Sequence, residues 1–143
     1  MKEMQSVMII DDNQVMARRL AERLKSAASI KSVWCCGFDE KEINDCIEKM
    51  KPDIILLDMY DMEKIDQKRG VELARTKGAI WRNKGVVAIV LLTVIDSSET
   101  TEIGRTIKAA LTDGTVDGYV RKPATSIEIH EAMCAAISQK REI

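Results

Sequence analysis

Apolar residues in this chain come in short runs, each followed by a stretch with helical spacing. Val7-Met8-Ile9-Ile10 runs into Asp11-Asp12, and Ile54-Ile55-Leu56-Leu57 runs into Asp58. A third run, Val86 to Leu92, ends at Thr93, and Gly118-Tyr119-Val120-Arg121 leads to Lys122-Pro123. Short β-branched runs bounded by turn signals read as strands buried on both faces, the pattern of a parallel sheet. A further strand is expected over Ser32 to Cys36.

Between the strands the period changes from continuous to helical. Asn13 to Ala27 places Val15, Met16, Leu20 and Leu24 on one predicted face. A helix over Glu40 to Met50 follows an Asp39 cap, with Glu42 three residues later, and Lys51-Pro52 ends it. The third strand is predicted over Asp53 to Leu57, then a polar loop from Tyr60 to Arg69 and a helix over Val71 to Arg82. Lys84-Gly85 turns the chain into the fourth strand. Ser97 or Ser98 is the expected cap of a fourth helix, whose inner face carries Ile103, Ile107, Ala110 and Leu111. Thr112 to Asp117 is a turn-rich link. Thr125-Ser126-Ile127-Glu128 is a capping box opening a last helix with Ile129, Met133, Ala136 and Ile137 inward.

Five strands alternating with five helices imply right-handed crossovers and a doubly wound α/β domain, a (βα)5 fold with a five-stranded parallel sheet in the flavodoxin-like order 2-1-3-4-5. One domain over residues 1–143 is expected, with no output domain.

In such a sheet, ligands bind beyond the carboxyl ends of the strands. Asp11, Asp12, Asp58, Thr93 and Lys122 would then share one crevice. Three carboxylates, a hydroxyl and an ammonium suit a divalent cation and a phosphoryl group.

Composition narrows the alternatives. A net charge of -1 with basic residues spread along the chain gives no reason to expect direct nucleic-acid binding. No apolar run approaches the roughly 20 residues of a membrane span, and the N-terminus has no signal-peptide core, so a cytoplasmic protein is expected. The four cysteines (Cys35, Cys36, Cys46, Cys134) show no CxxC pair. They read as core residues of a reducing compartment, and with His130 as the single histidine, without a partner cysteine, zinc is not expected.

The ordered set Asp11-Asp12, Asp58, Thr93, Lys122-Pro123 resembles the receiver domain of two-component response regulators, over about Ser6 to Ser138. The resemblance implies Mg2+ bound directly by Asp12 and Asp58, by Asp11 through water, and by the backbone carbonyl of Tyr60. Asp58 is the implied phosphoacceptor, Lys122 the cation on a phosphoryl oxygen, and Thr93 the switch hydroxyl. Tyr119 stands at the position of the aromatic that follows Thr93 inward, and the Lys122-Pro123 bond is cis in the family. The implied partners are a sensor histidine kinase or a histidine phosphotransfer protein, and a downstream protein target that reads the face of the fourth helix, fifth strand and fifth helix. Chemistry on this reading is limited to self-phosphorylation and autodephosphorylation at Asp58.

The chain departs from the family pattern in three places. The segment after Asp58 lacks the usual proline and is longer, with Asp61, Glu63 and Asp66 read as solvated loop charges. The stretch from Thr93 to Lys122 is also long, which predicts an extended fourth helix or an enlarged exit loop. Val94 stands where a small residue is common, which predicts a slowly hydrolysed acyl phosphate.

Three alternatives stay open. One is a pseudo-receiver that binds partners without phosphorylation, and another is a receiver fragment of a larger regulator with an output domain. The third is an aspartate-nucleophile phosphatase or phosphotransferase. It would need a second acid two residues past the nucleophile, where Tyr60 stands.

Overall fold

The computed structural model describes residues 6–28, 30–60, 67–94 and 101–141. The strands are β1 (Ser6–Ile10), β2 (Ser32–Cys36), β3 (Ile54–Asp58), β4 (Ala88–Thr93) and β5 (Gly118–Arg121). The helices are α1 (Gln14–Ala28), α2 (Glu40–Met50), α3 (Arg69–Asn83), α4 (Glu102–Thr112) and α5 (Ser126–Arg141). All strand pairs are parallel, in the order β2-β1-β3-β4-β5. This is the expected flavodoxin-like winding.

Strand alternation sorts the apolar residues into two cores. Met8, Ile10, Ile55, Leu57, Ile89 and Leu91 point to the side covered by α2, α3 and α4. Val7, Ile9, Ile54, Leu56, Val90 and Leu92 point to the side covered by α1 and α5. The middle strands are closed on both faces, which is why they read as continuous apolar runs.

Helix ends follow local chemistry. Asp39 Oδ1 accepts from the Lys41 and Glu42 amides, and Lys51 closes α2 in the left-handed conformation at φ 46° before Pro52. The capping box of α5 closes reciprocally: the Glu128 amide donates to Thr125 Oγ1 and the Thr125 amide to Glu128 Oε1, both at 3.1 Å.

Two expectations change. Ala17, Ala21 and Leu24 are the buried residues of α1, while Val15 and Met16 are exposed. The small alanines let α1 approach the sheet, and the first turn of α1 projects past the strand ends. The fourth helix begins at Glu102, later than a cap at Ser97 or Ser98 would place it. It has 11 residues and is capped by Thr101, whose Oγ1 accepts from the Gly104 amide at 2.9 Å. The expected caps Ser97 and Ser98 lie outside the described residues, as do the loop charges Asp61, Glu63 and Asp66. No helix among the described residues is long and apolar enough to cross a membrane.

Candidate phosphoacceptor site

Asp11 follows β1, and its amide donates to the Cys36 carbonyl, so backbone pairing carries past the strand end and fixes the residue at the rim. Its Oδ1 accepts from the Asn13 amide at 2.9 Å, and its carbonyl accepts from Gln14 Nε2. Asp58 ends β3 opposite Leu92, and its Oδ1 accepts from the Met59 amide at 2.9 Å. Asp12 turns in from the start of α1. Oxygen atoms of Asp11, Asp12 and Asp58 lie within 4.8 Å of one another. The residues brought together are the expected ones.

Lys122 enters from the opposite wall. Its amide donates to the Thr93 carbonyl at 2.8 Å, which extends the β4–β5 pairing by one residue. The Lys122-Pro123 peptide is cis. Lys122 Nζ stands 3.6 Å from Asp11 Oδ2 and 3.7 Å from Asp58 Oδ1, longer than close hydrogen bonds and nearly equidistant.

Lys122 faces Asp11 and Asp58 in a cluster of three carboxylates, and the crowding shows in Asp58. Burial first, then the negative charge of Asp11, pushes its carboxyl up to about 7, although Lys122 and the Met59 amide oppose the rise. A multivalent cation among these oxygens removes that repulsion. The donors are all hard carboxylate oxygens, the set that suits Mg2+.

Thr93 is fully buried at the end of β4. By strand alternation it faces the same side as Ile89 and Leu91, and β5 pairs Tyr119 with Leu91. Tyr119 is partly buried against that same core, so the hydroxyl and the aromatic ring share one face of the sheet on neighbouring strands. Tyr60 is half-buried two residues beyond Asp58, outside the carboxylate group. Val94 lies directly past Thr93 and is 65% exposed at the rim.

A positioning residue escaped sequence reading. Gly70 opens α3 against the backbone that follows Asp58: its amide donates to the Met59 carbonyl at 3.0 Å. A Cβ there would sit 2.3 Å from the Asp58 carbonyl oxygen and 2.9 Å from Met59 Cα. Only glycine permits that approach. A glycine at the first turn of a helix, after a loop that follows a strand-end aspartate, was the available signal.

The cysteine reading also needs correction. His130 does have a partner cysteine: Cys134 lies four residues on along α5, with Sγ 3.6 Å from Nε2. The periodicity of a helix, rather than a CxxC pattern, brings them together.

No family model matches the chain. Solved structures do. The signal receiver domain of a modulated diguanylate cyclase from Desulfovibrio desulfuricans superposes with a TM-score of 0.67 at 25% identity, covering 98% of both chains. A CheY-like response regulator receiver domain protein from Methanospirillum hungatei gives 0.69 at 16% identity, again over 98% of both. The N-terminal signal receiver domain of a Bacteroides fragilis two-component response regulator gives 0.66 at 18% identity, over 94% of this chain and 98% of that one. The strand order, the acidic strand ends and these likenesses agree: this chain has the fold of the response regulator receiver domain.

Proposed function

We propose that the chain is a Mg2+-dependent phosphoacceptor in which Asp58 takes a phosphoryl group from a phosphohistidine of a sensor kinase or phosphotransfer protein. The observation that carries this reading is the meeting of Asp11, Asp12 and Asp58 around the Lys122 ammonium at the carboxyl end of the sheet.

Each residue has a task that its position supports. An Asp58 carboxylate oxygen attacks phosphorus; the new O–P bond replaces the P–N bond, and the imidazole leaves with the electron pair. Lys122 supplies a positive charge to a phosphoryl oxygen. Asp11, Asp12 and Asp58, with the Tyr60 carbonyl as a further donor, hold the cation, which when bound offsets the negative charge gathered there. Thr93 donates its hydroxyl to the phosphoryl group, and Tyr119, on the same sheet face, repacks into the space so released. The phosphoryl charge thereby biases a two-state packing of α4, β5 and α5 that a downstream protein reads.

The surface around the site supports a protein donor. Val15 and Met16 in the first turn of α1, Val94 after β4 and Ile127 in the first turn of α5 are each more than half exposed. Val15 and Met16 open α1, Val94 follows β4 and Ile127 opens α5, so all four belong to segments at the carboxyl end of the parallel sheet. Exposed apolar side chains at the end of the sheet that carries the acids are available to a partner protein.

Incubation with Mg2+ and a small phosphodonor, followed by intact mass, tests the proposal. The expected result is a gain of one phosphoryl group that disappears in Asp58→Asn. No gain in the wild-type chain would overturn it and favour partner binding without phosphorylation.

A further inference from the structure

Away from the acidic pocket, α5 carries an imidazole and a thiol that meet in space. His130 and Cys134 are one helical turn apart on the same face, with His130 Nε2 and Cys134 Sγ separated by 3.6 Å. His130 is half-buried and Cys134 is exposed, so the pair can be reached from solvent.

The separation is informative. Zinc binds imidazole nitrogen at about 2.0–2.1 Å and thiolate sulfur at about 2.3 Å in tetrahedral geometry, which places the two ligand atoms about 3.5 Å apart. The 3.6 Å found here, within sulfur hydrogen-bond range when no metal is bound, is close to that spacing. A regular helix also holds both backbone anchors fixed, so little ordering is required on binding.

We propose that His130 Nε2 and Cys134 Sγ form a bidentate site for a borderline divalent cation of the Zn2+ class. The nitrogen–sulfur pair selects against Mg2+, which takes oxygen ligands, so this site and the carboxylate pocket divide the two classes of ion. Binding replaces the thiol proton: the S–H bond breaks, a sulfur–metal bond forms, and one proton leaves to solvent. Because the metal displaces the thiol proton, affinity rises with pH. Two ligands leave two tetrahedral positions open. Water fills them in one copy, or the same pair from a second copy completes a His2Cys2 set across an α5–α5 contact.

Cobalt(II) titration of the full chain in excess Mg2+, with the carboxylates already occupied, tests the site. The expected signature is a thiolate-to-cobalt charge-transfer band, with displacement of cobalt by zinc. Cys134→Ser should abolish the band, and His130→Gln should weaken binding at least about tenfold, as loss of a ligand costs no less than loss of its outer-shell support. Cys46→Ser should leave the sulfur band unchanged. Cys134 is exposed and His130 half-buried, outside the buried core, so helical circular dichroism should be unaltered. A stoichiometry of one metal per chain supports the site with water in the open positions. One metal per two chains, with a dimer by size exclusion, supports completion by a second copy. A sulfur band that survives Cys134→Ser, or no sulfur band in the wild type, would overturn the proposal. Because the test reads metal at α5, its failure is separable from failure of phosphorylation at Asp58.

Discussion

The two ends of the same sheet treat buried carboxylates in opposite ways. At the amino end, Asp53 and Asp117 are surrounded by donors. Asp53 Oδ2 accepts from the Ser6 amide, and its backbone joins β1 to β4 through Ser6, Val87 and Ala88. Asp117 Oδ2 accepts from Arg82 Nη2 and from the Ile89 amide, both at 2.9 Å, while Arg82 also reaches the Thr115 carbonyl. At the carboxyl end, Asp11, Asp12 and Asp58 crowd one another, with the Lys122 ammonium near Asp11 and Asp58. The first arrangement stabilises the fold, whereas the second opposes it, and a bound cation would relieve that repulsion. A strand-end aspartate therefore has no fixed meaning; the groups that face it decide whether it braces the sheet or waits for a ligand.

The strongest test of the contrast is to break the brace. Asp117→Ala leaves Arg82 half-buried without its carboxylate and the Ile89 amide without its acceptor. Removing one partner of such a pair should cost about 2–4 kcal/mol, read as a lower urea midpoint at unchanged slope. The acidic pocket is at the other end of the strands, so phosphorylation of the folded fraction should persist. A loss under about 0.5 kcal/mol would show that the pair contributes no more than a surface ion pair.

The reverse substitution should have the reverse sign. Asp58→Asn removes one of three mutually repelling charges while keeping the side-chain shape. A raised folded-state pKa means that the ionised group destabilises the fold at pH values above both its folded and unfolded pKa. At pH 8 without metal, Asp58→Asn should therefore stabilise the chain by about 1–3 kcal/mol, since one pKa unit corresponds to about 1.4 kcal/mol. Saturating Mg2+ should narrow or reverse the gap, because the ion stabilises the wild type more than the variant. Equal thermal midpoints with and without metal in both proteins would count against the pocket as a cation site.

Much of this was legible from residues alone. The four runs ending at Asp11-Asp12, Asp58, Thr93 and Lys122 located the pocket, because parallel strands must deliver their carboxyl ends to one side. The brace was not legible. Arg82 looked like an ordinary polar residue at a helix end, and Asp117 like part of a turn. Their pairing depends on the crossover that brings the end of α3 beside the start of β5, a distance of 35 positions in the sequence. Leu20 and Leu24 do pack on the core as expected, but the start of the buried face of α1 was misread for a related reason. Hydrophobicity favoured Val15 and Met16, but close approach to the sheet selected Ala17 and Ala21, and side-chain size outweighed transfer energy there. Gly70 escaped because its constraint comes from the Asp58 and Met59 backbone, not from its own helix.

Val94 sharpens the comparison at the site itself. It directly follows Thr93 and is 65% exposed, and a branched side chain next to Thr93 is expected to narrow access to the acyl phosphate proposed at Asp58. Val94→Ala should speed phosphate loss a few-fold, about 1 kcal/mol in the barrier, followed by intact mass after removal of the phosphodonor. An unchanged or slower rate would show that water reaches phosphorus by another path.

A graded series runs from the Lys68 cap along α3, where three basic residues at seven-residue intervals meet acids of the α4–β5 segment, and its exposed members carry the smallest effects. Lys68 pairs with Glu102, Arg75 with Asp113 at 2.7 Å, and Arg82 with Asp117 at 2.9 Å. Seven residues are close to two helical turns, so the three lie along one face. Their surroundings differ in the way the two sheet ends differ. The Glu102 side chain is 73% exposed, that of Asp113 45% and that of Asp117 6%. Exposed pairs are screened and couple by about 0.2–1 kcal/mol, while a desolvated pair with extra hydrogen bonds couples more strongly. Double-mutant cycles should therefore rank the couplings Arg82–Asp117 above Arg75–Asp113 above Lys68–Glu102. In 1 M salt the two outer couplings should fade and the inner one should remain, because the Debye length falls to about 3 Å and screens only charges that water reaches. Equal couplings at all three positions would mean that burial does not set their strength. The contrast between the two sheet ends would then have to rest on charge count alone.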